Sequence, residues 1–198
     1  MKLKESQTFL NLARAFAAEC CARTRYEFVE YGARYNGQNA VADIIDKIAY
    51  QEFNHARMLY TKIESAASTL ITNIDIKTSL PFKEKWDLVE NIKLLAEDEK
   101  NEAKAYDAFI KTAKEEGFKD CASLFEQIRD VELRHKKVFD FIYKEISKGT
   151  LYKKQGENTW VCSSCGHVIE GKEAPEECPL CKAKQGYYEI HLPKNLTL

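Results

Sequence analysis

The sequence has little proline and glycine and lacks any long apolar run. Only 4 prolines, all at or after position 81, and 8 glycines occur among its 198 residues. Because both residue types interrupt helices, their scarcity favours long helices. No stretch of about 18 apolar residues occurs, which argues against a membrane-spanning helix.

An excess of charge of one sign is also missing. The chain has 30 basic and 31 acidic side chains and a formal net charge of −1, which gives no reason to expect a nucleic acid or an anionic membrane as partner. The first ten residues contain no apolar core of signal-peptide length. Four of the 7 cysteines form two Cys-x-x-Cys motifs, and the three others do not suggest a disulfide framework. We therefore expect a cytoplasmic protein whose thiols bind metal or pack in the core.

Residues 80 positions apart repeat the same chemistry. The pairs are Glu19 and Glu99, Tyr26 and Tyr106, Gly37 and Gly117, Glu52 and Glu132, and His55 and His135. The last two pairs form two Glu-x-x-His motifs, each 33 residues after a lone glutamate. The repeat predicts two similar helix pairs related by a pseudo-twofold axis.

Apolar residues at helical spacing predict four helices, over residues 5–35, 39–67, 82–115 and 119–148. At roughly 28 residues and 1.5 Å per residue, each helix is on the order of 40 Å long. Residues 68–83 are too many for a tight turn and fit the single long crossover of a ferritin-like four-helix bundle. We therefore predict a mainly α fold, with a bundle over residues 1–148 and a small domain of short strands and turns over residues 149–198.

The two Glu-x-x-His motifs predict a di-iron site. Side chains three residues apart share one helical face and can bind one metal. A glutamate from each of two helices, with a Glu-x-x-His from each of the other two, is the ligand set of di-iron carboxylate bundles. The predicted ligands are Glu19, Glu52, His55, Glu99, Glu132 and His135. A single glutamate in such a charged chain is usually a surface residue, but these lie on the apolar stripe, where an unpaired charge would cost several kcal/mol.

The third helix offers several acidic residues close together. The repeat selects Glu99, and Glu102, one turn later on the same face, is a candidate seventh ligand whose repeat mate is Ala22. We expect Glu97 and Asp98 to be surface charges.

Two tyrosines each follow their lone glutamate by seven residues, or two helical turns. Tyr26 and Tyr106 can donate hydrogen bonds to ligand carboxylates, although core tyrosines bonded elsewhere would show the same spacing. With Glu52 and Glu132, they are the candidate catalytic residues. Cys20 and Cys21 are expected to be inert packing residues.

The four paired cysteines predict one tetrahedral metal site. Cys162, Cys165, Cys178 and Cys181 are spaced for thiolate ligation of one ion. Such sites hold structural zinc or redox-active iron. The nearby Trp160 and tyrosines favour iron, and a zinc ribbon is the alternative.

These motifs resemble those of the rubrerythrin family along nearly the whole chain. The resemblance rests on residues 15–26, on residues 51–56, on Glu132-Leu-Arg-His135, and on Cys-x-x-Cys-Gly with Cys-Pro-x-Cys. The chain departs from the family pattern at Tyr106-Asp107, where the family has Tyr-Pro one residue later, and at Lys182, where a small residue is common.

The resemblance implies a peroxidase that protects against oxidative stress. In that family the reduced di-iron site reduces hydrogen peroxide to water, and the rubredoxin-like iron returns electrons that come from NADH through a separate reductase. Redox-dependent exchange of one iron between a histidine and a carboxylate would involve His55 and Glu102 here. A head-to-tail homodimer, which places one subunit's rubredoxin-like iron near the other's di-iron site, is also implied.

Two other functions remain open from the sequence. A ferroxidase or iron-handling protein would use the same bundle site, although a ferritin shell lacks the four-cysteine tail. A scaffold protein with a structural zinc ribbon would use neither site for redox chemistry.

Overall fold

The computed structural model describes residues 2–67, 69–82 and 87–198. Four helices dominate it: α1 (Gln7–Tyr35), α2 (Asn39–Glu64), α3 (Leu88–Glu115) and α4 (Lys119–Ser147). Two antiparallel strands follow, β1 (Lys153–Val161) and β2 (Val168–Glu173). The predicted mainly α bundle with a small C-terminal region of strands and turns is confirmed. The division between residues 148 and 149 stays a prediction.

The helix starts are better explained by capping side chains than by the spacing of apolar residues. The Ser6 side chain accepts a hydrogen bond from the Phe9 N–H at 3.1 Å and caps α1. Asp87 caps α3 in the same way, so this helix begins at Leu88 and not at the predicted residue 82. Residues 83–86 of the predicted helix lie outside the described residues. Helix α2 ends at Glu64, three residues before its predicted end.

Glycines in the left-handed region end α1 and α3. Gly37 has φ +72° and Gly117 has φ +85°, a conformation that side chains with a Cβ rarely adopt. Each glycine lies two residues after its helix, at equivalent positions of the repeat. The chain can therefore reverse direction and form the two helix pairs α1–α2 and α3–α4.

The apolar core of the bundle consists of two clusters separated by a charged layer. One cluster lies toward the strands and includes Val29, Ile45, Leu95 and Phe139. The other lies toward the start of α1 and includes Leu12, Leu59, Ile110 and Phe125. On every helix the predicted metal ligands fall between the residues of these two clusters. Among the described residues, no helix is both long enough and apolar enough to cross a membrane.

The small C-terminal region packs against the turn between α1 and α2. Trp160 on β1 is fully buried, and its indole N–H donates to the Gly171 carbonyl at 3.0 Å. The Tyr152 hydroxyl donates to Gln38 at 3.2 Å. Gly186 lies so close to Gly37 that a Cβ atom on Gly186 would be 1.9 Å from the Gly37 oxygen. This contact requires glycine at position 186.

Candidate metal centres

All six ligands predicted for the bundle site lie in the charged layer between the two apolar clusters. They are buried, with Glu52, Glu99, Glu132 and His135 having no exposed surface. Their donor atoms form two groups whose members lie within 4.8 Å of one another. One group contains Glu19, Glu52, His55 and Glu132, and the other contains Glu52, Glu99, Glu132 and His135. Glu52 and Glu132 belong to both groups, which is the arrangement of carboxylates that can bridge two cations.

Each histidine nitrogen faces more carboxylate oxygens than it can satisfy. Nδ1 of His55 lies 2.9 Å from Glu52, 3.0 Å from Glu132 and 3.4 Å from Glu19. Nδ1 of His135 lies 2.9 Å from Glu52, 3.0 Å from Glu132 and 3.5 Å from Glu99. A ring nitrogen carries at most one hydrogen, so it cannot donate to three acceptors.

Once each Nδ1 is paired with one oxygen, Glu52 Oε2 for His55 and Glu132 Oε2 for His135, several buried carboxylate oxygens in this layer remain without a hydrogen-bond partner. They are Glu19 Oε2, Glu52 Oε1, Glu99 Oε2, Glu102 Oε2 and Glu132 Oε1. Buried charges without partners are costly, and such groups are normally paired or bound to metal. Unbonded oxygens converging with two imidazoles therefore fit a pair of cations, for which carboxylate and imidazole are suitable ligands.

The carboxyl groups show opposing pKa shifts in the metal-free site. Burial, together with neighbouring carboxylates, holds the pKa values of Glu19, Glu99 and Glu102 well above the ordinary range. Burial also acts to raise the pKa of Glu52, but His135 and His55 more than offset it, so this pKa is lowered. Bound cations would allow all of these carboxyl groups to ionise at once.

The two tyrosines bond across the repeat. The Tyr26 hydroxyl donates to Glu99 Oε1 at 2.7 Å. The Tyr106 hydroxyl donates to Glu19 Oε1. The tyrosine of α1 thus holds the glutamate of α3, and the tyrosine of α3 holds the glutamate of α1. In both glutamates Oε1 is occupied, and Oε2 is left for another partner.

The four cysteines converge in the small C-terminal region. Cys162 Sγ lies 3.8 Å from Cys181 Sγ, and Cys165 Sγ lies 3.7 Å from Cys178 Sγ. A tetrahedral ion with metal–sulfur bonds of about 2.3 Å requires sulfur atoms about 3.8 Å apart. The four donor atoms therefore have the spacing of a tetrahedral metal site.

Backbone N–H groups point at Cys162, Cys165 and Cys178, but burial still raises the pKa of Cys162, and burial and neighbouring thiols raise that of Cys165 to about 12. Donation from Cys181 and Leu180 outweighs burial and lowers the pKa of Cys178 to about 6. Lys182, after the last cysteine, has φ +66°, the region that favours glycine, and its N–H bonds to the Cys178 carbonyl at 2.9 Å. This conformation explains why the position suits a small residue.

Comparison with known proteins identifies the family. Residues 11–143, more than half of the chain, match the rubrerythrin family model. The chain belongs to the rubrerythrin family. Residues 160–189 match the rubredoxin-like domain of rubrerythrin. Rubrerythrin of Clostridium perfringens is 34% identical over 189 residues, covering 95% of this chain and 96% of that protein. Rubrerythrin of Porphyromonas gingivalis is also 34% identical and covers 94% and 91%.

Solved structures support the same fold. Nigerythrin in a mixed-valence state superposes with a TM-score of 0.61 at 23% identity, covering 94% of this chain and 90% of that one. A bacterioferritin from Desulfovibrio desulfuricans gives a TM-score of 0.64 at 22% identity, covering 72% and 81%. The second match covers less of this chain.

Membership in the rubrerythrin family makes this chain an oxidoreductase of the di-iron, oxidative-stress class. The family carries a di-iron site and a rubredoxin-like iron site. The donor groups present here fit both, because two overlapping carboxylate–histidine groups and one four-cysteine group converge.

The acidic residues of α3 differ in burial and in their partners, and their spacing in the sequence did not predict these differences. Glu97 is exposed, as expected. The expectation that Asp98 is a surface charge is wrong, because Asp98 is 4% exposed and accepts a 2.5 Å bond from the buried Arg25. Glu102 is outside both ligand groups, although its Oε2 is buried beside them. The repeat could not predict the Arg25–Asp98 pair, since neither residue has a charged mate.

Gln51 was not among the predicted site residues, and the expectation that Cys20 is a packing residue is wrong. Gln51 Oε1 lies 2.7 Å from His135 Nε2, where it accepts a hydrogen bond from that nitrogen and orients the ring with Nδ1 toward the carboxylates. Its position directly before the predicted ligand Glu52 was the sequence feature that could have identified Gln51 as a site residue. Cys20 is exposed and Cys21 half-buried, so Cys20 does not pack in the core.

Proposed function

We propose that this rubrerythrin-family chain is a non-haem di-iron peroxidase that reduces hydrogen peroxide to water and protects against oxidative stress. The supporting observation is the pair of overlapping ligand groups that share Glu52 and Glu132. The proposed ligands of the iron pair are Glu19, Glu52, His55, Glu99, Glu132 and His135. Iron bound there supplies the two electrons that reduction of one peroxide molecule consumes.

The surrounding residues orient the ligands and exclude bulk water. Tyr26 and Tyr106 hold Oε1 of Glu99 and Glu19, which leaves each Oε2 as the oxygen that would bind iron. The apolar clusters on both sides of the charged layer exclude water along the bundle axis. We propose Glu102 as an additional carboxylate ligand, because its buried Oε2 lacks a hydrogen-bond partner beside the site. Its exchange with His55 between redox states would follow from the family resemblance.

The four-cysteine site is proposed to hold one iron that returns electrons to the bundle site. Cys162, Cys165, Cys178 and Cys181 would be its ligands, and zinc would fit the same sulfur geometry. The proposed donor to this iron is a rubredoxin or an NADH-linked reductase. All seven thiols are outside disulfides, in keeping with a reducing cytoplasm.

The separation of the two sites favours a head-to-tail homodimer. Tyr35, at the end of α1, lies sixteen positions after Glu19, which is about 24 Å along the helix. The small C-terminal region packs beyond that end, against Gly37 and Gln38. A second subunit in the opposite orientation would bring its four-cysteine iron closer to the bundle site of the first.

A stopped-flow experiment tests the peroxidase. Iron-loaded protein is reduced anaerobically and mixed with stoichiometric hydrogen peroxide, while the visible iron–thiolate band is followed. Rapid return of the ferric colour is expected, because peroxide reduced in the bundle draws electrons from the four-cysteine iron. Reaction with oxygen but not with peroxide would favour a ferroxidase. Absence of the band in protein from iron-replete cells would favour a structural zinc ribbon.

A further inference from the structure

A cavity of about 370 Å³ lies between α1 and α3 beside the ligand cluster. Its walls contain residues that are 80 positions apart and therefore equivalent in the repeat. Three such pairs are Ala18 with Asp98, Ala22 with Glu102, and Arg25 with Ala105. Because both members of each pair line the same space, we place the cavity on the pseudo-twofold axis that the repeat predicts.

The same axis relates the metal ligands of the two halves. Glu19 and Glu99, and likewise His55 and His135, differ by 80 positions. A cavity on this axis therefore faces the midpoint between the two ligand groups and not one metal position alone. That midpoint is where a molecule must lie to react with both metals of a pair.

Two residues connect the cavity to the ligand cluster. Tyr106 lines the cavity, and its hydroxyl donates to Glu19. Glu102 also lines the cavity, and its Oε2 is buried without a hydrogen-bond partner. Along the bundle axis, by contrast, the two apolar clusters close the site. Among the described residues, the cavity therefore approaches the cluster from the side of α1 and α3, with Glu102 and Tyr106 lying between the two.

The crossover segment forms the outer wall. Residues 78–81 line the cavity, and the Arg14 Nε–H donates to the carbonyl of Lys77 at 3.1 Å, which holds this segment against α1. We propose that hydrogen peroxide reaches the ligand cluster through this cavity, beneath residues 78–81. The proposal rests on the proposed peroxidase function.

The chemistry of the walls suits a small polar molecule. Alanines at positions 18, 22 and 105 leave the space open, while Asn101, Glu102 and the Arg25–Asp98 pair offer hydrogen-bonding groups. Larger organic peroxides would meet the crossover segment before reaching the cluster.

Substitution of one wall residue tests the path. Ala105→Phe places a ring in the cavity, and Ala105 is exposed enough to accept it without disturbing the core. Ala108→Phe is the matched control, because Ala108 is exposed on the same helix outside the cavity lining. We expect Ala105→Phe to slow oxidation of the reduced di-iron site by hydrogen peroxide roughly tenfold or more. Ala108→Phe with equal iron content is expected to react at the original rate.

Alkylation of Cys21 gives a readout that is independent of the metal. Cys21 lines the cavity, and Cys20→Ser removes the neighbouring exposed thiol. Mass spectrometry of the peptide that contains Cys21 then measures its rate of modification by iodoacetamide. We expect Ala105→Phe to slow this modification and Arg14→Ala, which releases the crossover segment, to accelerate it. Arg14→Ala is also expected to raise the rate with cumene hydroperoxide relative to hydrogen peroxide.

Two results would overturn the inference in different ways. If Ala105→Phe slows alkylation of Cys21 but leaves the reaction with hydrogen peroxide unchanged, the cavity is blocked and peroxide uses another path. If the unsubstituted iron-loaded protein does not react with peroxide, the proposed peroxidase function fails, and the path fails with it.

Discussion

The Tyr26 hydroxyl donates a 2.7 Å hydrogen bond to Glu99, although 73 residues separate them in the chain. The equivalent tyrosine, Tyr106, donates to Glu19 in the other direction. These two bonds tie α1 to α3 and fix one oxygen of each glutamate. The geometry of one half of the repeat therefore depends on the other half.

Replacing Tyr26 by Phe should reduce stability, because Glu99 loses its buried donor. We expect the free energy of unfolding of the metal-free protein to fall by about 1–3 kcal/mol. Urea denaturation followed by circular dichroism measures it. Tyr31→Phe, which changes a 69% exposed tyrosine on the same helix, should be neutral. Equal effects of the two substitutions would contradict a structural role for the Tyr26–Glu99 bond.

Glu52→Ala should abolish peroxide turnover, because Glu52 belongs to both ligand groups. We expect turnover to fall more than about 100-fold, beyond the loss typical of residues that only support a ligand. The visible band of the four-cysteine iron should remain. Glu97→Ala, at an exposed acidic position of α3, should leave turnover unchanged. Full peroxidase activity in Glu52→Ala would show that the active site lies elsewhere.

Cys162→Ser should remove the function of the four-cysteine site while leaving the di-iron site able to react. Loss of one of the four converging sulfur atoms should remove the iron–thiolate band and stop NADH-linked turnover. A single oxidation of the chemically reduced di-iron site by peroxide should persist, as rapid mixing can measure. Cys20→Ser, at an exposed thiol, is the control. If NADH-linked turnover survives in Cys162→Ser, electrons do not pass through the four-cysteine site.

The metal-free protein should lose stability as pH rises. Burial and neighbouring carboxylates raise the pKa values of Glu19, Glu99 and Glu102 in the folded protein. These carboxyl groups therefore favour the folded state while they are protonated. That contribution to stability is lost as pH rises above about 4.3, the ordinary pKa of a glutamate, toward the raised values. Burial opposes protonation of His55 and His135, but the surrounding carboxylates raise both pKa values. Their contribution is therefore lost as pH rises above about 6.5 toward the raised values.

The lowered pKa of Glu52 acts in the opposite sense, but its contribution is complete by about pH 6. Metal requires the deprotonated ligands, so stabilisation by metal should increase with pH. We expect the difference in melting temperature between ferrous-loaded and metal-free protein to be larger at pH 8 than at pH 6. Glu52→Ala, which retains the four-cysteine site, should show a weaker pH dependence. A constant difference in the unsubstituted protein would be inconsistent with proton release from these ligands.

Gly186→Ala should weaken the packing of the small C-terminal region against the bundle. The added Cβ would lie 1.9 Å from the Gly37 oxygen, and Gly37 itself ends α1 with a positive φ. We expect a destabilisation of about 1–3 kcal/mol, measured by thermal denaturation. Gly156→Ala on β1, where a Cβ meets nothing within 4 Å, is the control. Equal melting temperatures for both variants would mean that this close contact is not maintained in solution.

The sequence by itself determined the mainly α fold and the residues that could bind metal. The 80-residue repeat, the Glu-x-x-His motifs and the cysteine spacing depend on helical periodicity and on short turns, which are local properties of the chain. The same local rules predicted the ends of the first and third helices at residues 35 and 115, which the structure confirms. They did not predict the start of α3, because the Asp87 cap competes with apolar spacing that extends further.

Only the tertiary structure decided which residues meet across the bundle. Asp98 is buried because Arg25 on α1 lies opposite it, and Gln51 is fixed by His135 on α4. The sharing of Glu52 and Glu132 between two groups, and the crossing bonds of the tyrosines, likewise depend on the relative positions of helices. A periodic pattern within one helix shows which of its faces is buried, but it does not show which residue of a neighbouring helix lies opposite a given side chain.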